Sequence, residues 1–105
     1  MTLPRNIKEE IVKRVLTVAT PTRIILFGSF ARGDADEDSD IDLLVVVKEA
    51  ASPRELAAEI REAIGYIGYG VDVLVATEEM MTEYGDIPGV VYEEAQTGGI
   101  PLYVG

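Results

Sequence analysis

Apolar positions fall along this chain in short blocks whose spacing switches between the helical and the extended period. From Asn6 to Val18, Ile7, Ile11, Val12, Val15 and Leu16 recur at helical spacing while Lys8, Glu9, Glu10, Lys13 and Arg14 fill other positions. That pattern predicts an amphipathic helix ending before Pro21. Arg23-Ile24-Ile25-Leu26-Phe27 is a short run rich in branched side chains and reads as a buried strand. Ser29 to Ala31 opens a short helix, Gly33 to Ser39 is an acidic loop, and Ile41 to Val47 is a second strand. Ser52-Pro53-Arg54-Glu55 joins a capping box to a proline at the first helical position, which starts a helix over Pro53 to Ile64 with Leu56, Ile60 and Ile64 on one face. A glycine-rich connection, Gly65 to Gly70, leads to a third strand over Val71 to Ala76 and a short helix capped by Thr77. A further helix over Pro88 to Thr97, closed by Gly98-Gly99, precedes a last short strand over Ile100 to Val104. Such alternation predicts an α/β (α+β) domain, a sheet covered by helices.

The length, 105 residues, suits a single domain over residues 1–105 with one core, and neither repeats nor a linker divide it. The longest continuous apolar run, Leu43 to Val47, is strand-sized and far short of the roughly 18 residues of a membrane span. Met1-Thr2-Leu3-Pro4-Arg5 leads directly into a charged helical pattern, without the apolar core of a signal peptide. The expectation is a cytoplasmic protein that does not enter a membrane.

Two absences narrow the chemistry. The chain has no cysteine, which excludes disulfides, thiolate zinc sites and cysteine nucleophiles. It has no histidine, which removes the commonest general base and all imidazole ligation. Any metal must then be held by oxygen, which favours Mg²⁺, Mn²⁺ or Ca²⁺. The net charge of −10 opposes non-specific nucleic-acid binding, which depends on clustered Lys and Arg. A nucleotide bound as its metal complex, or a basic protein partner, remains compatible with that charge.

The residues that carry chemistry lie at strand ends. Gly28-Ser29 follows the first strand and opens a helix, where glycine lets the backbone approach an anion and the hydroxyl adds a hydrogen bond to a phosphate oxygen. Asp40 and Asp42 stand two apart at the start of the second strand, so both carboxylates emerge on one face, about 6–7 Å apart along the chain. Aspartate is a poor strand former, and a pair at this point needs a reason. Asp72, inside Val71-Asp72-Val73-Leu74-Val75, is a lone charge in an apolar strand, costly to bury unless paired or metal-bound. If the third strand neighbours the second, Asp72 completes a cluster of three carboxylates of the kind used in two-metal phosphoryl chemistry. The alternation of Asp34, Asp36, Asp38, Asp40 and Asp42 imitates a calcium loop, but Ser39 stands where that loop needs glycine and Val45 where it needs a bidentate Glu.

Gly28-Ser29, ten intervening residues, then Asp40-Ile41-Asp42 resembles the signature of the DNA polymerase β-like nucleotidyltransferase superfamily. The Ala31-Arg32-Gly33 continuation and the Ser39-Asp40-Ile41-Asp42-Leu43 context resemble its minimal nucleotidyltransferase (MNT) branch, and the likeness runs from the first helix to the final strand. The resemblance implies a nucleotidyltransferase fold with a mixed sheet, and transfer of AMP from ATP with Mg²⁺, two ions, or Mn²⁺ in its place. It implies that Gly28 and Ser29 hold the triphosphate, that Asp40 and Asp42 bind both metal ions, and that Asp72 binds the metal on the acceptor side and helps deprotonate the acceptor. Arg32 would steady phosphate oxygens or stand as a surface residue. The branch also resembles the antitoxin half of HEPN/MNT toxin–antitoxin pairs, whose members attach AMP to a tyrosine of a small helical HEPN toxin.

Two other functions stay open at this stage: an antitoxin that masks its partner by contact without turnover, and an adenylyltransferase acting on a small molecule. Tyr66 and Tyr69, in the glycine-rich connection, are expected to pack rather than to line a partner surface.

Overall fold

The computed structural model describes residues 1–84 and 91–105. It contains α1 (Arg5–Val15), β1 (Arg23–Phe27), α2 (Ser29–Arg32), β2 (Ile41–Val47), α3 (Pro53–Ile64), β3 (Val71–Thr77), α4 (Glu78–Tyr84), α5 (Val91–Gly98) and β4 (Ile100–Val104). The four strands form one sheet in the order β3-β2-β1-β4. β1 runs antiparallel to both β2 and β4, and β2 runs parallel to β3, so the sheet is mixed. The parallel pair is joined by α3, as a parallel connection requires a crossover.

The apolar continuity of β2 follows from its central place. Its Ile41, Leu43, Val45 and Val47 face a core shared with Ile24 and Leu26 of β1, Ile11 and Val15 of α1, Ile60 and Ile64 of α3, and Phe30 of α2. On the opposite face Leu44 and Val46 meet Ile25, Phe27, Ala76, Met81 of α4 and Ala95 of α5. A strand buried on both faces cannot alternate polar and apolar residues, and β2 does not. β3, at the sheet's edge, alternates in burial over its first half.

Helix ends agree with their local chemistry. Ser52 Oγ accepts a hydrogen bond from the Glu55 amide at 3.2 Å, with Pro53 just inside the helix start. The Met80 amide donates to Thr77 Oγ1 at 3.2 Å, so Thr77 caps α4 as the sequence suggests. Two bounds differ from expectation. α1 stops at Val15, three residues before Val18, because the Thr17 and Val18 amides tighten to the carbonyls three residues back and Thr17 Oγ1 bonds Arg14 O at 2.6 Å. Leu16, expected on the buried stripe, is therefore exposed. The expected helix start at Pro88 lies outside the described residues; α5 begins at Val91.

At the far end of the sheet, Glu78 ties the start of α4 to β1. Its Oε2 accepts from Thr22 Oγ1 at 2.7 Å and its Oε1 pairs with Arg23 Nη2 at 3.0 Å. The Thr22 hydrogen bond and the Arg23 charge hold the Glu78 carboxyl below its ordinary value.

Candidate active site

The sheet's connectivity gathers the chemistry at one end. β1 runs towards that end while β2 and β3 run away from it, so the turn leaving β1 lies beside the residues that enter β2 and β3. The register places Phe27 opposite Asp42 across the antiparallel pair, and Asp42 opposite Asp72 across the parallel pair. All three sit where apolar strand gives way to loop.

Gly28 makes this arrangement depend on glycine twice over. Its backbone lies at φ 74° and ψ −151°, a region open essentially to glycine alone. A Cβ added there would stand 2.3 Å from Asp42 Oδ2 and 3.2 Å from Asp42 Cγ. The backbone of the Gly-Ser turn therefore rests directly against the Asp42 carboxylate. α2 then begins, with the Ala31 and Arg32 amides donating to Gly28 O at 3.1 and 3.0 Å. It ends at Gly33, which takes the left-handed conformation at φ 86°. Ser29 is half-buried at the head of this turn.

Asp40 precedes β2 and is exposed. Gly70, just before β3, is its counterpart: a Cβ there would fall 2.2 Å from Asp40 Oδ1, while the Ile41 amide donates to Gly70 O at 2.8 Å. Each aspartate of the pair is thus matched to a glycine on a neighbouring strand end.

Asp42 is half-buried, and burial pushes its carboxyl above the ordinary 3.8. The negative charges of Asp72, Asp40 and Glu94 push in the same direction, and Arg32 opposes them. Asp72 avoids the cost of burying a lone charge: it is exposed, because β3 is an edge strand whose Leu74, on the same face, is also exposed. The condition that the third strand neighbours the second is met. Among the described residues no three carboxylates are drawn together as a closed coordination shell. The donor set is nevertheless all oxygen, which suits a hard divalent cation. The raised Asp42 carboxyl reflects its burial first and the neighbouring negative charges second, and a cation would offset the second.

Arg32, at the end of α2, pairs through Nε with Asp34 Oδ2 at 3.2 Å and through Nη1 with Glu94 Oε1 at 3.0 Å. Glu94 is a site neighbour that sequence reasoning missed. It lies 62 residues from Arg32 along the chain, on a helix in which no motif singled it out. The two tyrosines of the glycine-rich connection separate in role. Tyr69 packs edge-on against Phe30, with ring centres 5.5 Å apart, as expected. Tyr66 is 86% exposed, contrary to expectation, because Gly65 and Gly68 on either side turn the loop through positive φ.

The carboxylate coupling can be read in solution. In carboxyl-resolved NMR titrations Asp42 is expected to titrate above its ordinary value, to move down in Asp72→Asn and to move up in Arg32→Gln. An Asp42 midpoint unmoved by Asp72→Asn would remove the electrostatic link across the parallel pair.

Comparison with known proteins follows the same lines. The family described as nucleotidyltransferase domain matches residues 5–96. Two proteins of Methanocaldococcus jannaschii, each named "Putative protein adenylyltransferase", are similar in part. One is 46% identical over 54 residues, 51% of this chain and 54% of the relative. The other is 71% identical over 24 residues, 23% of this chain and 24% of the relative. The chain's first match thus spans about half the length of that relative. Among solved structures, a toxin–antitoxin crystallised with AMP-PNP superposes at a TM-score of 0.65 with 22% identity, covering 93% of this chain and 73% of that one. A complex of the tri-AMPylated Shewanella oneidensis HEPN toxin with its MNT antitoxin matches at 0.60 with 20% identity, covering 96% and 72%. At these identities the structural likeness is one of fold, while the family match extends over most of the sequence, through Gly28, Ser29, Asp40, Asp42 and Asp72. The chain belongs to the nucleotidyltransferase domain family.

Proposed function

We propose that the chain transfers AMP from ATP, with Mg²⁺, onto a hydroxyl of a partner protein in the cytoplasm, the partner being a HEPN-type toxin and the acceptor a tyrosine, and so acts as an antitoxin. The observation that carries this reading is the contact of the Gly28 backbone with the Asp42 carboxylate. That contact supports reading the Gly28-Ser29 turn and the aspartates as one site, the turn for phosphate and the carboxylates for metal. Gly28 and Ser29 would receive the triphosphate, and Asp40, Asp42 and Asp72 would hold the cations. Bound Mg²⁺ supplies charge neutralisation and a more acidic acceptor hydroxyl. In the transfer the acceptor oxygen bonds to the α-phosphorus, the bond from that phosphorus to the bridging oxygen of the β-phosphate breaks, and pyrophosphate leaves. With no histidine in the chain, Asp72 would take the hydroxyl proton. Its exposure on an edge strand supports an acceptor as large as a protein.

Incubation with the partner, ATP and Mg²⁺ is expected to add AMP to a partner tyrosine, with transfer lost on chelation by EDTA and restored by Mg²⁺. No mass gain on the partner under these conditions sinks the transferase reading. A second reading, neutralisation by contact alone, is favoured by the open spacing of the three carboxylates. It predicts undiminished toxin neutralisation by Asp40→Asn/Asp42→Asn at equal stoichiometry, without ATP.

A further inference from the structure

Arg32 and Glu94 form the one ion pair among the described residues that joins α2 to α5. The root of Arg32 lies within a turn of the Gly-Ser motif, since its amide donates to the Gly28 carbonyl at 3.0 Å. Its guanidinium is bound by two carboxylates, Asp34 at Nε and Glu94 at Nη1. A planar guanidinium fork suits carboxylate and phosphate oxygens alike, so the two kinds of anion compete for the same donors. The Glu94 pair is also weakly held: the Arg32 and Glu94 side chains are 55% and 49% exposed. Water and salt screen such a pair, and exchanging its anion costs little.

Resting on the nucleotidyltransferase reading above, we propose that Glu94 occupies on Arg32 the place of a nucleotide phosphate, and that ATP binds by displacing Glu94 from Nη1. Glu94 is then a positioning residue that sets nucleotide affinity. It holds Arg32 Nη1 in the free protein and yields it to a phosphate oxygen on binding. The exchange removes the ion pair between α2 and α5, while Ala95 keeps α5 packed on the sheet. No covalent bond changes; one anion replaces another on a guanidinium that stays protonated throughout.

Loss of a merely structural contact would weaken nucleotide binding or leave it unchanged, whereas removal of a competing carboxylate tightens it. Calorimetric titration of the intact protein with AMP-PNP and Mg²⁺ is expected to show tighter binding in Glu94→Gln, by about twofold to fivefold, the range of an exposed ion pair. Arg32→Gln binds more weakly, and adding Glu94→Gln to it gives no further gain. Adenosine, which has no phosphate, binds the wild type and Glu94→Gln equally. Glu93→Gln, which removes a neighbouring charge on the same helix without touching Arg32, leaves AMP-PNP affinity near wild type. Unchanged or weaker binding in Glu94→Gln overturns the proposal. So does a gain that persists in Arg32→Gln or is matched by Glu93→Gln, since either reduces the effect to bulk charge. If the wild type binds AMP-PNP normally while these arms fail, the nucleotidyltransferase reading stands and the displacement alone falls; if the wild type binds no nucleotide, both fall.

Discussion

Asp42→Asn is expected to abolish AMP transfer and, at the same time, to make the folded protein more stable. The two effects have one origin. Asp42 is a carboxylate pressed into a half-buried position beside Asp72, Asp40 and Glu94, and its charged form is disfavoured there. A carboxyl whose folded value is raised binds protons more tightly in the native state than in the unfolded chain. Between the ordinary 3.8 and the raised value the folded state holds the extra proton, so stability falls as pH climbs through that window. Above it the full penalty is present, and it persists at neutral pH. Asparagine keeps the shape and removes the charge, so the melting temperature at pH 7 should rise. In the wild type, saturating Mg²⁺ should raise it as well, and in Asp42→Asn that response should shrink.

Transfer moves the other way. A divalent cation contributes several kcal/mol to charge stabilisation in phosphoryl chemistry, which corresponds to at least about 100-fold in rate when a principal ligand is lost. Thermal melts with and without Mg²⁺, beside a transfer assay, report both sides. A variant that keeps full transfer activity would remove Asp42 from the site. One that loses activity by unfolding would remove the stability argument instead.

Gly28→Ala should be damaging for two separable reasons. The backbone conformation alone costs about 1–3 kcal/mol for a residue carrying a Cβ. The methyl group, only 2.3 Å from Asp42 Oδ2, must also push the carboxylate aside. Denaturant unfolding should therefore show a loss at or above that range, and nucleotide transfer should fall further than the residual stability explains. Asp42→Ala separates the two causes. In Gly28→Ala/Asp42→Ala the contact with the carboxylate is gone and the backbone strain remains. The stability loss on adding the alanine at 28 should then be smaller than in the wild-type background. Strict additivity of the two substitutions would show that Gly28 and Asp42 do not press on one another.

How much of this was legible beforehand depended on whether the information was local. β1 and β2 appear with their predicted bounds because short runs of branched and aromatic residues between turn signals have few alternatives. α3 was equally plain, since Ser52, Pro53 and Glu55 mark its first turn and Ile60 and Ile64 its buried face. The end of α1 was not, because Leu16 continues the apolar period by one step after the backbone has already tightened. Gly28, Ser29, Asp40 and Asp42 could be singled out from spacing in sequence. Whether Asp72 is buried or exposed was not legible, because an apolar run does not disclose that its strand lies at the sheet's edge. Glu94 carried no local signal at all; only the fold brings α5 to Arg32.

The one-ended placement of the candidate site leaves the opposite pole of the sheet free for engineering. Lys48 and Glu49 are exposed in the loop that leaves β2 at that pole, with the whole length of the strand between them and Asp42. A fluorophore, a short peptide label or an inserted module placed between Lys48 and Glu49 should leave nucleotide chemistry intact. The same insertion between Gly68 and Tyr69 would strike the Phe30 contact and the glycine that accommodates Asp40. The Lys48–Glu49 loop is thus the natural port for a reporter, letting the working end be watched without being touched.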